Sequence, residues 1–329
     1  MKAIVYEKFG SPDVLDYRDI DKPLPADDEV LIKVRAASVN PLDWKLMKGI
    51  PFIFRLLLGL GDSKVKRPGV DVAGEVESVG KNVAQFKVGD SVFGTCSGAL
   101  AEYAVSKSAK GLKSALIIKP PTLTYEQAAS APVAALTALQ GLRDKGQIQP
   151  KQKVLVNGAA GGVGTFAVQI AKSFGAHVTG VCSTGSVDMV RSIGAHEVID
   201  YTQLDLIESK HRYDLILDCV GNHSFSDWIR ILNPKGILVG VGAPAGVPLS
   251  RLLAGLVGTL VRSIFASQKV AVFVARINQE DLTTVSELMS AGKMTPVVDK
   301  RYRLSEAREA FQYAEAGHAH GKIIVVPEY

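Results

Sequence analysis

The chain has 329 residues, 47% of them apolar and 22% charged, which is the balance of an ordinary globular protein with a sizeable core. At about 100–200 residues per domain the length suggests two domains, and the composition excludes disorder, collagen-like repeats and a charged low-complexity tail. Thirty-eight Lys and Arg against 33 Asp and Glu leave a net charge of +5, spread without a block of like charge, so charge alone argues for no nucleic-acid partner.

The opening Met1-Lys2-Ala3-Ile4-Val5-Tyr6-Glu7-Lys8 reads as a strand, because Glu7 and Lys8 interrupt any signal-peptide core. Short strands are then predicted at Lys2–Tyr6, Glu29–Ala36, Ala73–Val79, Asp90–Phe93 and Ala101–Val105, separated by Gly, Pro and Asp turns. The apolar run 50–60 contains Pro51 and Arg55, and the run 252–261 lies between Arg251 and Arg262. Ten helical residues span about 15 Å, half of a roughly 30 Å hydrocarbon core, so neither run crosses a bilayer. Each is expected to be a buried helix or the wall of an apolar pocket, with peripheral membrane contact as the alternative.

From Thr124 the texture changes. A helix is predicted over Ser130–Arg143, and strands at Lys153–Asn157, His177–Val181, Glu197–Asp200, Leu215–Asp218, Ile237–Val241 and Lys269–Ala275. Helical patterns such as Gly162–Phe174 and Val187–Ile193 alternate with them, as in a doubly wound parallel sheet. Two further helices, Glu280–Ser290 and Ser305–Ala316, precede a last strand, Lys322–Val326, expected to pack back on the first domain. The fold class is therefore α/β: a β-rich domain of residues 1–124 and 277–329 around an inserted doubly wound domain of 125–276. A small-molecule site is expected in the cleft between them.

Within the second domain, strand Lys153–Asn157 runs into Gly158-Ala159-Ala160-Gly161-Gly162-Val163-Gly164 and then a helix. Ala159, Gly161 and Gly164 match the spacing of G-x-G-x-x-G with Ala in the first place. Gly161 would let the backbone approach a pyrophosphate, Gly164 would let the helix close on the strand, and N–H groups at the helix start would face the phosphates. An NAD site usually places Asp or Glu at the end of the second strand. Here Cys182-Ser183-Thr184-Gly185-Ser186 follows, with no acid before Asp188, and this favours NADP(H). No Arg or Lys stands in that loop. Cys96, Cys182 and Cys219 lie far apart without a C-x-x-C, which suits a reduced compartment, with the cytoplasm as the expected location.

Several ordered motifs carry a resemblance. They are Ala37-Ser38-Val39-Asn40-Pro41-Leu42-Asp43-Trp44-Lys45, Pro68-Gly69-Val70-Asp71-Val72-Ala73-Gly74-Glu75-Val76 and Val88-Gly89-Asp90-Ser91-Val92-Phe93-Gly94. To these are added Asn157–Gly164, Gly194–Tyr201 and Gly321–Val326. From end to end the chain resembles the medium-chain dehydrogenase/reductase superfamily. Within it the chain is similar to the zinc-free quinone oxidoreductase branch, with its chloroplast-envelope and reticulon-interacting mitochondrial members. The resemblance implies a GroES-like first domain, a Rossmann second domain and NADPH as hydride donor. It places Asn157, Ala160, Gly161, Gly162, Val163 and Gly164 on the cofactor's phosphates, and Ser183 and Thr184 on its 2′-phosphate beside Cys182. Ser186 stands where many relatives carry a Lys. Tyr201 matches an adenosine-phosphate contact and Thr137 a residue near the nicotinamide ribose. Cys219-Val220-Gly221 and Gly240-Val241-Gly242 match loops beside the cofactor, Phe273 and Val274 a strand end near the carboxamide, and Lys322 the terminal Gly-Lys segment.

Zinc members of the superfamily need thiolate and imidazole ligands. Asn40-Pro41 and Val70-Asp71 stand in their places, no Cys lies in Ala131–Thr137, and His318 and His320 are read as surface residues, so no metal is expected. A conjugated carbonyl or quinone needs only alignment with the nicotinamide, a hydrogen bond to the developing oxyanion, and a proton. Asn40 could donate the amide N–H, and Lys45, where many relatives carry a Tyr, the proton. Asp43 is read as an orienting partner. The expected activity is NADPH-dependent reduction of a hydrophobic quinone or α,β-unsaturated carbonyl, and the alternative is an NADPH-binding interaction protein with little turnover. No aromatic–basic ladder for nucleic acid is present, and the resemblance leaves homodimer and monomer both open.

Overall fold

The computed structural model describes residues 1–49, 65–107, 114–208, 211–241, 267–317 and 319–329. The two apolar runs assigned to a pocket wall or membrane contact, together with Gly242 and His318, lie outside the described residues. Among the described residues no helix is long and apolar enough to cross a membrane.

In chain order, the first part carries β1 (Lys2–Val5), β2 (Asp16–Asp19), β3 (Glu29–Val39), α1 (Pro41–Lys48), β4 (Asp71–Val79), β5 (Ser91–Thr95), β6 (Tyr103–Lys107) and β7 (Leu116–Ile118). Helices α2 (Tyr125–Ser130) and α3 (Pro132–Gln140) follow. Next come β8 (Lys153–Asn157), α4 (Gly162–Ser173), β9 (His177–Cys182), α5 (Val187–Ser192), β10 (Glu197–Asp200), β11 (Tyr213–Asp218), α6 (Phe225–Ile231), β12 (Leu232–Gly240) and β13 (Lys269–Val272). The tail supplies α7 (Gln279–Ser290), β14 (Val298–Arg303), α8 (Ala307–Ala316) and β15 (Lys322–Val326).

Two compact units result. The first comprises Met1–Leu136, Arg276–Gly292 and Pro296–Tyr329. Its main sheet runs β14-β15-β3-β4-β5-β7, with β6 also paired to β3, while β1 and β2 form a separate antiparallel ribbon. β15 lies antiparallel on β3 with Ile324 opposite Ser38, so the last strand is laid beside the strand that leads into α1. Alternating apolar residues of β3 and β4 (Val30, Ile32, Val34, Val72, Val76) meet Met47 of α1 and Phe311 of α8 in one buried cluster. The helix expected over Ser130–Arg143 begins at Pro132 and continues in helical turns to Lys145, and the separate α2 ends before it because Pro132 lacks the N–H that would continue the ladder. Tyr125, at the start of α2, shares a hydrogen bond with Ser91 on β5 and donates to Glu75 on β4, which ties α2 to the first unit's sheet.

The second unit is Thr137–Ala275 with Lys293–Thr295. Among the described residues its six strands lie in the order β10-β9-β8-β11-β12-β13, with every neighbouring pair parallel. This is the doubly wound order 3-2-1-4-5-6 of a Rossmann fold, in which ligands bind beyond the carboxyl ends of the strands at the reversal point. Here the reversal falls between β8 and β11, whose last residues, Asn157 and Asp218, are register partners.

Candidate functional site

At the reversal point the chain leaves β8 through a turn that only glycine suits. Gly158 has φ +80°, and a Cβ there would come within 2.7 Å of Val220 Cγ2. The fully buried Ala159 donates its N–H to Val181 O at 2.9 Å, so the tight turn belongs to Gly158 rather than to the first place of the expected triplet. Gly164 lets α4 close on that turn: a Cβ there would lie 2.0 Å from Gly158 O. Gly161 is different, since its Cβ would meet nothing nearer than Gly158 O at 3.5 Å. The stretch Ala160-Gly161-Gly162-Val163 is partly exposed at the start of α4, where first-turn N–H groups have no helical acceptor and suit an anion.

The turn is fastened to the neighbouring loop by a buried carboxylate that sequence reasoning missed. Asp218 Oδ1 accepts from Asn157 Nδ2 (2.9 Å), Val220 N (3.0 Å) and Gly221 N (2.9 Å), and Oδ2 accepts from Trp228 Nε1 on α6 (3.2 Å). Asn157 spends its second amide proton on Asn222 Oδ1 at 2.9 Å. Cys219 N donates to Asn157 O and Val241 N to Asp218 O. The geometry thus brings Asn157, Cys219, Val220 and Val241 to one place beside the glycine turn. The pattern Asp-x-x-Gly ending a strand is the signal that could have found the fastening, since a turn N–H array needs an acceptor.

A second group gathers at the ends of β9 and β10. Tyr201, largely exposed, donates its N–H to Cys182 O at 3.1 Å, and Thr184 and Gly185 are exposed. Ser186 is buried, so its side chain does not stand at the surface of this loop. No acid follows β9 directly, yet one stands beside the loop. Asp200 ends β10 in register with Cys182, and Thr184 Oγ1 donates to Asp200 Oδ2 at 2.6 Å. Strand order, invisible before the sheet is built, makes that acid a neighbour. Phe273 has its ring near Gly141, the half-exposed Thr137 belongs to α3, and Val274 is almost fully exposed beyond β13.

The first unit holds a separate buried cluster. Asn40 is the N-cap of α1: its N–H donates to Asp43 Oδ2 (2.8 Å), and Asp43 N donates back to Asn40 O (3.0 Å). The Asn40 amide is committed at both ends, Nδ2 donating to Asp71 Oδ2 at 2.8 Å and Oδ1 accepting from Lys322 Nζ at 2.6 Å. Asp71 also accepts from Ser38 Oγ (2.9 Å) and from Val133 N in the first turn of α3 (3.0 Å). Lys322 Nζ lies 3.5 Å from Asp71 Oδ2, and both side chains are shut away from solvent. Burial drives the Asp43 carboxyl up to about 7, with Asp71 adding to the rise and Lys322 opposing it. Burial likewise pulls the Lys322 ammonium down, against Asp71 and Asp43. Lys45, one helical step from Trp44, is half-buried, its ammonium 5.6 Å from the Trp44 ring centre, and burial lowers its pKa.

Residues 26–115 match the alcohol dehydrogenase GroES-like domain family, and residues 193–325 the zinc-binding dehydrogenase family. The chloroplast envelope quinone oxidoreductase homolog of Arabidopsis thaliana is 34% identical over 99% of this chain and 98% of its own length. The chain belongs to the medium-chain dehydrogenase/reductase superfamily, in its quinone oxidoreductase-like branch. Among solved structures of the same shape, the quinone oxidoreductase from Coxiella burnetii has a TM-score of 0.85 at 30% identity, covering 99% of both chains. The Escherichia coli quinone oxidoreductase complexed with NADPH has a TM-score of 0.80 at 26% identity, over 99% of this chain and 100% of its own. As an NAD(P)H oxidoreductase of this superfamily the chain takes a nicotinamide cofactor, and the residues fit one. The open Gly161 position beside the first turn of α4 is a cradle that a larger residue would narrow. The residues around Asn40 do not fit zinc. The cation there is the Lys322 ammonium, and burial raises the Cys96 thiol nearby, which disfavours the thiolate a metal requires. Among the described residues no group of three or more His, Cys, Asp or Glu could hold a metal.

Proposed function

We propose that this oxidoreductase reduces a hydrophobic quinone or α,β-unsaturated carbonyl with NADPH and without zinc. The observation that carries the reading is the glycine turn at the reversal point of the parallel sheet, clamped by Asp218 to the Cys219–Asn222 loop. Asn157, Ala160, Gly161, Gly162, Val163 and Gly164 would hold the pyrophosphate, with Thr137, Cys219, Val220, Val241, Phe273 and Val274 on the nicotinamide side. Cys182, Ser183, Thr184 and Tyr201 would form the adenosine end, with Ser186 buried in the same loop. When bound, the reduced nicotinamide supplies a hydride to the electron-poor carbon, and the charge passes to the conjugated oxygen.

The chain's own part is to place the substrate and deliver a proton. Lys45 donates that proton to the oxygen: its lowered pKa brings the ammonium nearer to the operating pH, which makes it a better acid than an exposed lysine. Asn40, fixed at both ends of its amide, orients the start of α1 that carries Lys45, and Lys322 holds Asn40 in turn. The three free cysteines suit action in the cytoplasm. Stopped-flow absorbance of bound NADPH, mixed with 9,10-phenanthrenequinone and a panel of enones, tests the reading. Oxidation by at least one acceptor, unaffected by a chelator, is the expected result. No oxidation by any of them would leave a nucleotide-binding protein without this activity.

A further inference from the structure

The loop after β9 reads Cys182-Ser183-Thr184-Gly185-Ser186, with no cation of its own, and Arg191 on α5 faces Asp188 at 3.7 Å. A 2′-phosphate is acceptor-only and carries about two negative charges, so it needs donors and positive charge. Asp200 offers neither. Its Oδ2 takes the one hydroxyl proton of Thr184 at 2.6 Å, and its Oδ1 accepts from the Thr202 hydroxyl at 2.8 Å and the Thr202 N–H at 2.9 Å. The Thr184 and Thr202 hydroxyl oxygens are themselves 2.8 Å apart. These bonds hold the Asp200 carboxyl below the usual carboxylate range. Thr184 therefore turns lone pairs, and not its proton, toward an incoming nucleotide. A free ribose 2′-hydroxyl can donate to such an oxygen, whereas a phosphate cannot.

We propose that Asp200 is a specificity-determining residue that works against the 2′-phosphate, through its own charge and by holding the Thr184 proton, so that the chain binds NADH within about tenfold of NADPH. The proposal rests on the nucleotide site assigned above. Both informative positions tolerate change: Asp200 is half-buried at a strand end, and a Cβ on Gly185 meets nothing within 4 Å. Asp200→Asn keeps an acceptor for the Thr202 N–H while removing the charge.

Calorimetric titration of the purified full chain with NADP⁺ and with NAD⁺, for the wild type, Asp200→Asn and Gly185→Arg, reads the ratio of the two dissociation constants. The expected shift toward NADP⁺ is about three- to tenfold for Asp200→Asn, the scale of one exposed like charge in salt. For Gly185→Arg it is about tenfold or more, because an arginine then pairs the phosphate. Displacement by 2′,5′-ADP should strengthen in the same order. An unchanged ratio in Asp200→Asn, or a wild type that already prefers NADP⁺ by more than about tenfold, overturns the proposal while leaving the site intact. Failure of every variant to bind either nucleotide overturns both.

Discussion

Lys322→Met should be the most damaging single change in the first unit. The side chain is 3% exposed, its ammonium meets Asn40 Oδ1 at 2.6 Å and Asp71 Oδ2 at 3.5 Å, and Asp43 lies close enough to feel it. Its loss leaves two buried carboxyl groups without a cation, and breaking a buried pair from one side costs about 3–5 kcal/mol. The cost depends on pH. Asp43 holds its proton up to about pH 7 in the folded chain, against 3.8 in the unfolded one, so folding takes up a proton and stability falls as pH rises through that window. Removing Lys322 pushes the window higher, because Lys322 opposes the rise. More proton uptake then rescues the variant in mild acid, and its deficit should be about 1 kcal/mol smaller at pH 6 than at pH 8. Urea unfolding, followed by Trp44 fluorescence in a Trp228→Phe background, isolates this unit, since the chain has two tryptophans and the other belongs to the second unit. A deficit below about 1 kcal/mol, or one that does not change with pH, would refute the account of the cluster.

Gly161→Ala and Gly164→Ala should separate binding from folding. The first adds a methyl with only an ordinary contact and should raise the dissociation constant for NADPH by about tenfold or more while stability moves by about 0.5 kcal/mol. The second drives a Cβ into Gly158 O and should cost about 1–3 kcal/mol in the melting profile. Lys45→Ala should lower turnover on enones by about tenfold or more with cofactor affinity nearly constant in calorimetry, and an unaltered rate removes Lys45 from the mechanism. Trp228→Phe leaves Asp218 Oδ2 short of its indole donor, so the second unit should lose about 1 kcal/mol in denaturant titration.

The phosphate turn was legible because its cause is local: an apolar strand, small residues, and a helix with Ala167, Val168, Ile170 and Ala171 on its buried face. The alternation that follows it was legible for the same reason, and Lys153–Asn157, Glu197–Asp200 and Lys322–Val326 fall where periodicity puts them. β2 (Asp-Tyr-Arg-Asp) and β14 (Val-Asp-Lys-Arg-Tyr-Arg) went unseen, since charged strands owe their conformation to the neighbour they pair with. α1 also escaped notice, although Asn40 at the N-cap, Pro41 after it and Asp43 two residues on mark a helix start. The contacts that matter most to the candidate sites are long-range. Asn40 with Lys322, Asn157 with Asp218 and Thr184 with Asp200 each join residues that only the sheet order brings together, and no local pattern encodes that order.

The most direct test follows the transferred atom. A single-turnover reaction of the chain with an enone and NADPH carrying deuterium in both positions of its reactive nicotinamide carbon, in ordinary water with a chelator present, should yield a saturated ketone with deuterium at the β-carbon. A product without deuterium, or turnover that the chelator abolishes and zinc restores, would contradict metal-free hydride transfer.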